Sequence, residues 1–236
     1  MINRLILGDG WLGEELVKKT NWDYISRKKN GIDFTDINSY KDYLVGYDEI
    51  INCIAYTNTY DKNKEPNWDI NYKGVVDLVD FIINKDIKLI HYSTDYVYAN
   101  SESNVSEYGI PVHCENWYSY TKLLGESYVE LKLKNYLVIR GTHKPTPFMF
   151  EEAYINQIGN FDYIDKISKI HIDLIEGDAR GIYNVGTELK TMYDLAKKTK
   201  PNVIPVNKKF HHTMPNDITM NLDKLNSKLK EINDKK

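Results

Sequence analysis

Short apolar runs alternate along this chain with stretches in which apolar residues recur every three or four positions. The Leu-Ile-Leu run inside Arg4–Leu7 predicts a buried strand, and Glu14–Thr20 continues a helix opened by the glycine-rich turn before it. Asp23–Ser26 predicts a second short strand, Ile37–Val45 a helix and Glu49–Ala55 a third strand. Within Trp68–Asn84, residues Val75, Val76, Leu78, Val79 and Ile82 keep helical spacing. Lys88–Thr94 predicts a fourth strand, Trp117–Leu133 a long helix and Tyr136–Arg140 a fifth strand. Such strand-then-helix alternation predicts an α/β fold with a doubly wound parallel sheet and right-handed crossovers.

After Arg140 the pattern loosens. Two prolines make Lys144-Pro145-Thr146-Pro147 a loop. Helices are expected near Phe150–Ile158, Ile164–Ile175 and Thr191–Lys198, and one more strand at Gly181–Val185. The Lys-rich amphipathic tail Leu222–Lys236 is expected to fray. The division expected is a nucleotide-binding domain over 1–140 and a small C-terminal lobe over 141–236, interleaved with the last sheet strand.

Composition narrows the function classes. A net charge of −3 does not steer the protein toward nucleic acid. Cys53 and Cys114 cannot build a disulfide framework, and the pair His211-His212 has no third ligand nearby, so no metal site is expected. No apolar stretch is long enough for a bilayer. The N-terminus enters a strand at once, without the zones of a signal peptide, so a cytoplasmic location is expected.

Gly8-Asp9-Gly10-Trp11-Leu12-Gly13 follows the first strand and opens a helix, the context in which G-x-G-x-x-G cradles a dinucleotide pyrophosphate. Gly8 permits the tight turn, Gly10 the approach of the phosphates and Gly13 close helix packing. Trp11 and Leu12 present backbone N–H groups at the helix start. An acid for the ribose 2′-hydroxyl usually ends the second strand; here stand Ser26-Arg27-Lys28-Lys29. Arg27 can pair with a 2′-phosphate, so NADP(H) is the preferred cofactor and NAD(H) the second, although a solvated basic turn reads nearly as well. Asp33 and Phe34 are placed to meet adenine. Cys53, Ile54, Ala55 and Tyr56 end the third strand, where the backbone passes the cofactor.

Tyr118 and Lys122 lie one turn apart on one helix face. The same spacing recurs at Tyr24/Lys28, Tyr60/Lys64, Tyr128/Lys132 and Tyr193/Lys197. Position singles out the first pair: its helix follows the strand ending at Thr94, at the sheet edge where such folds bind ligands. A free phenol has a pKa of about 10, too high for proton exchange at neutral pH, and a neighbouring ammonium favours its ionised form. Thr94 can hydrogen-bond a substrate oxygen, or cap a backbone group at the strand end.

At these residues the chain resembles the Rossmann-like extended short-chain dehydrogenase/reductases, and among them the dTDP-4-dehydrorhamnose reductases. The resemblance rests on GDGWLG (8–13), INCIAYT (51–57) with Glu65-Pro66 and Asn71, HYSTDYVY (91–98) and YSYTKLLGE (118–126), and covers residues 1–140. It implies hydride transfer from NADPH to the C4 ketone of a nucleotide-linked 6-deoxy-4-ketosugar. Tyr118 would be the general acid, Lys122 its partner and Thr94 the hydroxyl aid, with Asn71 on the cofactor side. Thr57, Asp95 and Tyr96 would face substrate. Related 4,6-dehydratases carry Thr-Asp-Glu where this chain has Thr94-Asp95-Tyr96, which disfavours dehydration.

Two departures concern the substrate lobe. Gly141-Thr142-His143-Lys144-Pro145 replaces the family's Thr-Ser-Trp continuation, and Met214 replaces a basic residue before Pro215. His143 and Lys144 are therefore candidates for the sugar-nucleotide pyrophosphate. Two alternatives share these residues: an epimerase, which retains its cofactor, and a non-catalytic nucleotide-binding regulatory subunit. A homodimer would use the helices Trp68–Asn84 and Trp117–Leu133.

Overall fold

A computed structural model describes residues 2–99, 101–109, 116–207 and 215–235. The chain folds into two compact units, neither of them continuous in sequence. The first comprises Met1–Ser93, Trp117–Ile139 and Arg180–Ile182; the second comprises Thr94–Asn116, Arg140–Ala179 and Tyr183–Lys236.

The first unit is built on the strands β1 (Arg4–Leu7), β2 (Asp23–Ile25), β3 (Glu49–Asn52), β4 (Lys88–Tyr92) and β5 (Tyr136–Arg140). With β10 (Gly181–Asn184) they form a six-stranded sheet of order β10-β5-β4-β3-β1-β2. The ladders from β2 through β5 are parallel. Every residue of β3 and β4 is buried, which is why these strands read as unbroken runs rather than alternating ones. The charged residues among them neutralise one another: Glu49 pairs with Arg4 and with Lys88 at the strand starts.

Helix α1 (Trp11–Thr20) starts at Gly10 and stops at Asn21, whose left-handed φ of 57° ends it. A short α2 (Arg27–Asn30) is capped by Ser26. The helix α3 (Glu65–Trp68) runs through a π turn (Asp69–Lys73) into α4 (Gly74–Ile82), so the helix begins ahead of the expected Trp68. Val75, Leu78, Val79 and Ile82 of α4 pack with Leu5, Leu7, Ile50 and Leu89 of the sheet. The long helix α5 (Trp117–Lys132) follows the expected bounds. Ile37–Val45 does not form one helix: it makes two 3-10 turns, Ile37–Ser39 and Lys41–Leu44, because Tyr40, with φ −140° and ψ −6°, breaks the helical backbone between them.

The second unit carries β6 (His143–Lys144), β7 (Glu152–Tyr154), β8 (Ile158–Gly159), β9 (Asp162–Tyr163), β11 (Lys190–Thr191), β12 (Ile204–Val206) and β13 (Asp217–Ile218). They assemble as three small sheets, β11-β8-β13, β12-β7 and β6-β9. The helix expected over Phe150–Ile158 is instead strand, because Glu152–Tyr154 pairs with Ile204–Val206. Helix α6 (Ile164–Glu176) stands as expected, and α7 (Met192–Lys197) starts at a capping box between Thr191 and Asp194. The tail forms α8 (Asp223–Asn233), with Leu225 and Ile232 buried. A Cβ at Gly177 would lie 2.4 Å from Ile232 Cδ1, so α8 packs closely on the end of α6 rather than fraying. Among the described residues no helix is long and apolar enough to cross a membrane.

Candidate functional site

The glycine turn assigns a different role to each of its glycines. Gly8 takes φ +97° and passes Ile54 so closely that a Cβ would lie 2.8 Å from its side chain. At Gly13 a Cβ would lie 2.1 Å from the Gly8 carbonyl, so α1 can approach β1 only with glycine there. At Gly10 a Cβ would meet nothing within 4 Å. Gly10 immediately precedes the first turn of α1, where Trp11 is exposed and Leu12 buried. An open glycine before a helix N-terminus is the cradle that a dinucleotide pyrophosphate requires, so these residues fit a nicotinamide cofactor.

Beyond β3, Ile54 N donates to Asn52 Oδ1 at 3.1 Å, which turns the Cys53–Tyr56 backbone away from the strand. Asn71 then clasps Tyr56 from both sides: its Oδ1 accepts from Tyr56 N and its Nδ2 donates to Tyr56 O, each at 2.9 Å. The same amide reaches Thr121 Oγ1 at 3.3 Å. Asn71, expected on the cofactor side, is fully buried and ties the Tyr56 segment to α5. Thr57, just beyond, is exposed.

Helix α5 presses closely on the π turn, since a Cβ at Gly125 would lie 2.5 Å from Asn71 O. This contact places Lys122 in the interior. It is 2% exposed and its Nζ donates to the Tyr92 carbonyl at the end of β4. Burial lowers the ammonium's pKa to about 8, opposed by the charge of Glu126. One turn earlier stands Tyr118, half-buried. Burial also holds His91 neutral, helped by Lys122, and Asn52 Nδ2 lies 3.3 Å from its Nδ1. The residues Asn52, His91 and Glu126 were not singled out from sequence. The spacing of Glu126 four residues after Lys122 was a readable signal; the contact of His91 with Asn52 was not.

The ring of Phe34, expected to stack on adenine, is a core side chain. It stacks on Tyr40 with centroids 5.7 Å apart and lies against Gly74. Asp33 accepts from the Thr35 backbone and hydroxyl, which hold its carboxylate below the usual range. Arg27 is exposed.

In the second unit, Thr94 caps a 3-10 turn (Asp95–Tyr98), accepting from Tyr96 N at 3.2 Å and donating to Asp95 Oδ1 at 3.3 Å. Asp95 and Tyr96 are buried. Asp95 Oδ1 also accepts from Thr142 Oγ1 at 2.6 Å, a partner not foreseen. Burial raises the Asp95 carboxyl to about 6, against the lowering pull of Thr142 and Lys144. His143 is pushed down to about 4 by burial and by Lys144, whose own ammonium is lowered by burial. Asp95, Thr142, His143 and Lys144 thus form one cluster of titratable and hydroxyl groups. Cys114, His211, His212 and Met214 lie outside the described residues.

Residues 3–151 match the family described as RmlD substrate binding domain. A probable low-salt glycan biosynthesis reductase, Agl14, of Haloferax volcanii is 32% identical over 113 residues, which cover 46% of this chain and 38% of that relative. The match therefore spans well under half of the relative's length. A dTDP-4-dehydrorhamnose reductase from Bacillus anthracis, solved with NADP, superposes with a TM-score of 0.82 at 23% identity, covering 100% of both chains. A UDP-glucuronic acid 4-epimerase from Bacillus cereus, solved with NAD, gives 0.73 at 17% identity, covering 97% of this chain and 90% of that one. These two likenesses show a shared fold.

Proposed function

We propose, from the premise that this chain belongs to the RmlD substrate binding domain family, that it is a nicotinamide-dependent reductase of a nucleotide-linked 6-deoxy-4-ketosugar. The observation that carries this reading is Lys122: a buried ammonium on the helix of Tyr118, in the unit that also holds the open glycine cradle. The Gly8–Gly13 turn and the Cys53–Tyr56 backbone would hold the cofactor. A bound reduced nicotinamide, with NADP(H) preferred through Arg27, would supply hydride to the ketone carbon.

The chain's own residues would manage the proton. Tyr118 Oη would give its proton to the ketone oxygen, which gains negative charge as hydride adds to the carbon and the C=O π bond gives way to a C–O single bond. The positive charge of Lys122 lowers the cost of the phenolate left behind. In this reading Thr94, Asp95, Tyr96, His143 and Lys144 of the second unit and Thr57 of the first are the candidates for contact with the sugar nucleotide. A homodimer formed through the helices around α4 and α5 belongs to this reading.

The test is NADPH oxidation with dTDP-4-keto-6-deoxyglucose that has been epimerised to the rhamnose configuration. Turnover that falls by about 10²–10⁴-fold in Tyr118→Phe supports the assignment. Turnover that survives in Tyr118→Phe removes Tyr118 as the acid. Cofactor that stays bound through purification and is regenerated in each cycle points to an epimerase instead.

A further inference from the structure

In a doubly wound dinucleotide site an acidic side chain at the end of the second strand holds the adenosine ribose by its 2′-hydroxyl, and a cation there accommodates a 2′-phosphate. The residue after β2 is Ser26, followed by Arg27, Lys28 and Lys29, so along the sequence that acid is missing. The fold brings one in from the glycine turn. The carboxylate of Asp9, between Gly8 and Gly10, accepts a hydrogen bond from Ser26 Oγ at 2.8 Å.

This carboxylate is held in place. Ser26 is fully buried, and its Oγ also accepts from Lys29 N at 2.9 Å as the cap of α2. The one hydroxyl proton is thereby committed to Asp9 Oδ2, and the carboxylate keeps further acceptor capacity. A cavity of about 400 Å³ adjoins it, lined by Asp9 and Glu14 and by Lys18, Lys28 and Lys29. Lys29 is already engaged: its Nζ donates to Tyr24 O at 3.2 Å and lies 3.7 Å from the centre of the Tyr24 ring. Arg27 and Lys28 are the other two exposed cations that follow Ser26.

We infer that Asp9 is a specificity-determining residue for the adenosine ribose, accepting the 2′-hydroxyl of NAD(H) and opposing the 2′-phosphate of NADP(H). The inference rests on the nicotinamide reading above. A 2′-phosphate brings close to two negative charges at neutral pH. It would meet the Asp9 carboxylate as a like charge while Lys28, which lines the same cavity, attracts it. Two opposed charges at one position leave a narrow preference for NADP(H), which a single substitution tips.

The experiment is calorimetric binding of NADH and of NADPH to the full chain and to Asp9→Asn and Lys28→Ala. Asn keeps an oxygen acceptor for Ser26, and Lys28 is exposed, so neither change opens the core. Asp9→Asn is expected to shift the ratio of the two dissociation constants toward NADPH by about tenfold, with Lys28→Ala shifting it the opposite way. Raising the salt concentration should weaken NADPH more than NADH. Both cofactors binding with an unchanged ratio in Asp9→Asn overturns the inference and leaves the nicotinamide reading standing. Binding of neither cofactor to the unaltered chain overturns both.

Discussion

Lys122 carries an ammonium into the first unit with the Tyr92 carbonyl as its hydrogen-bond acceptor. With its pKa lowered to about 8, it is charged at neutrality and loses that charge on mild alkalinisation. We expect reductase turnover to fall along an alkaline limb with an apparent pKa near that value, measured as a pH profile of kcat/KM. Folding responds with the opposite sign. Between about 8 and the ordinary lysine value of 10.5 the unfolded chain binds more protons than the folded one, so burying Lys122 costs less as pH rises through that window. Urea titrations should show this rise, and Lys122→Met should flatten it. Asn71 is a second test at this scale. Asn71→Ala leaves both backbone groups of Tyr56 without their partner, and we expect a loss of about 1–3 kcal/mol in urea unfolding. The helix that carries both Tyr118 and Lys122 was legible in the sequence because its strand and helix context was. That Phe34 stacks on Tyr40 and that Asn71 clasps Tyr56 was not, because only packing brings those residues together.

The glycine turn shows how one element combines two kinds of constraint. Gly13→Ala would press a methyl group against the Gly8 carbonyl, so we expect it to lower thermal stability and cofactor affinity together. Gly10→Ala meets no protein atom, so we expect its melting temperature to hold while calorimetric cofactor affinity drops, because the methyl group stands where phosphates would pass. Equal losses of stability in both variants would contradict these roles. Strands β1, β3 and β4 were readable from their apolar runs, since burial on both faces leaves that mark on sequence. Phe150–Ile158 was not. Its apolar residues fit a helix as well as a strand, and the choice fell to Ile204–Val206, some fifty residues away, which supplies the backbone partners. Ile37–Val45 failed for a local reason: Tyr40 takes φ −140° and ψ −6°, outside the helical region, and divides the segment into two turns.

Across the whole molecule, the chain returns to its first unit twice, at Trp117–Ile139 and at Arg180–Ile182. A fragment ending at residue 140 would lose β10, the neighbour of β5, and expose β5 as an unpaired edge. We expect that fragment to aggregate on size-exclusion chromatography; a monomer that unfolds cooperatively would show that β10 is dispensable. The sequence by itself determined the parallel α/β sheet, the glycine turn and the Tyr118/Lys122 helix, because periodicity, a strand-to-helix glycine motif and one-turn spacing are all local signals. Only the tertiary structure decided that Asp9 meets Ser26, that Thr142 holds Asp95 and that Asn71 is spent on Tyr56. Each of those pairs joins residues 15 to 47 positions apart, and hydrogen bonds at such separations follow from how layers pack, which no local pattern encodes.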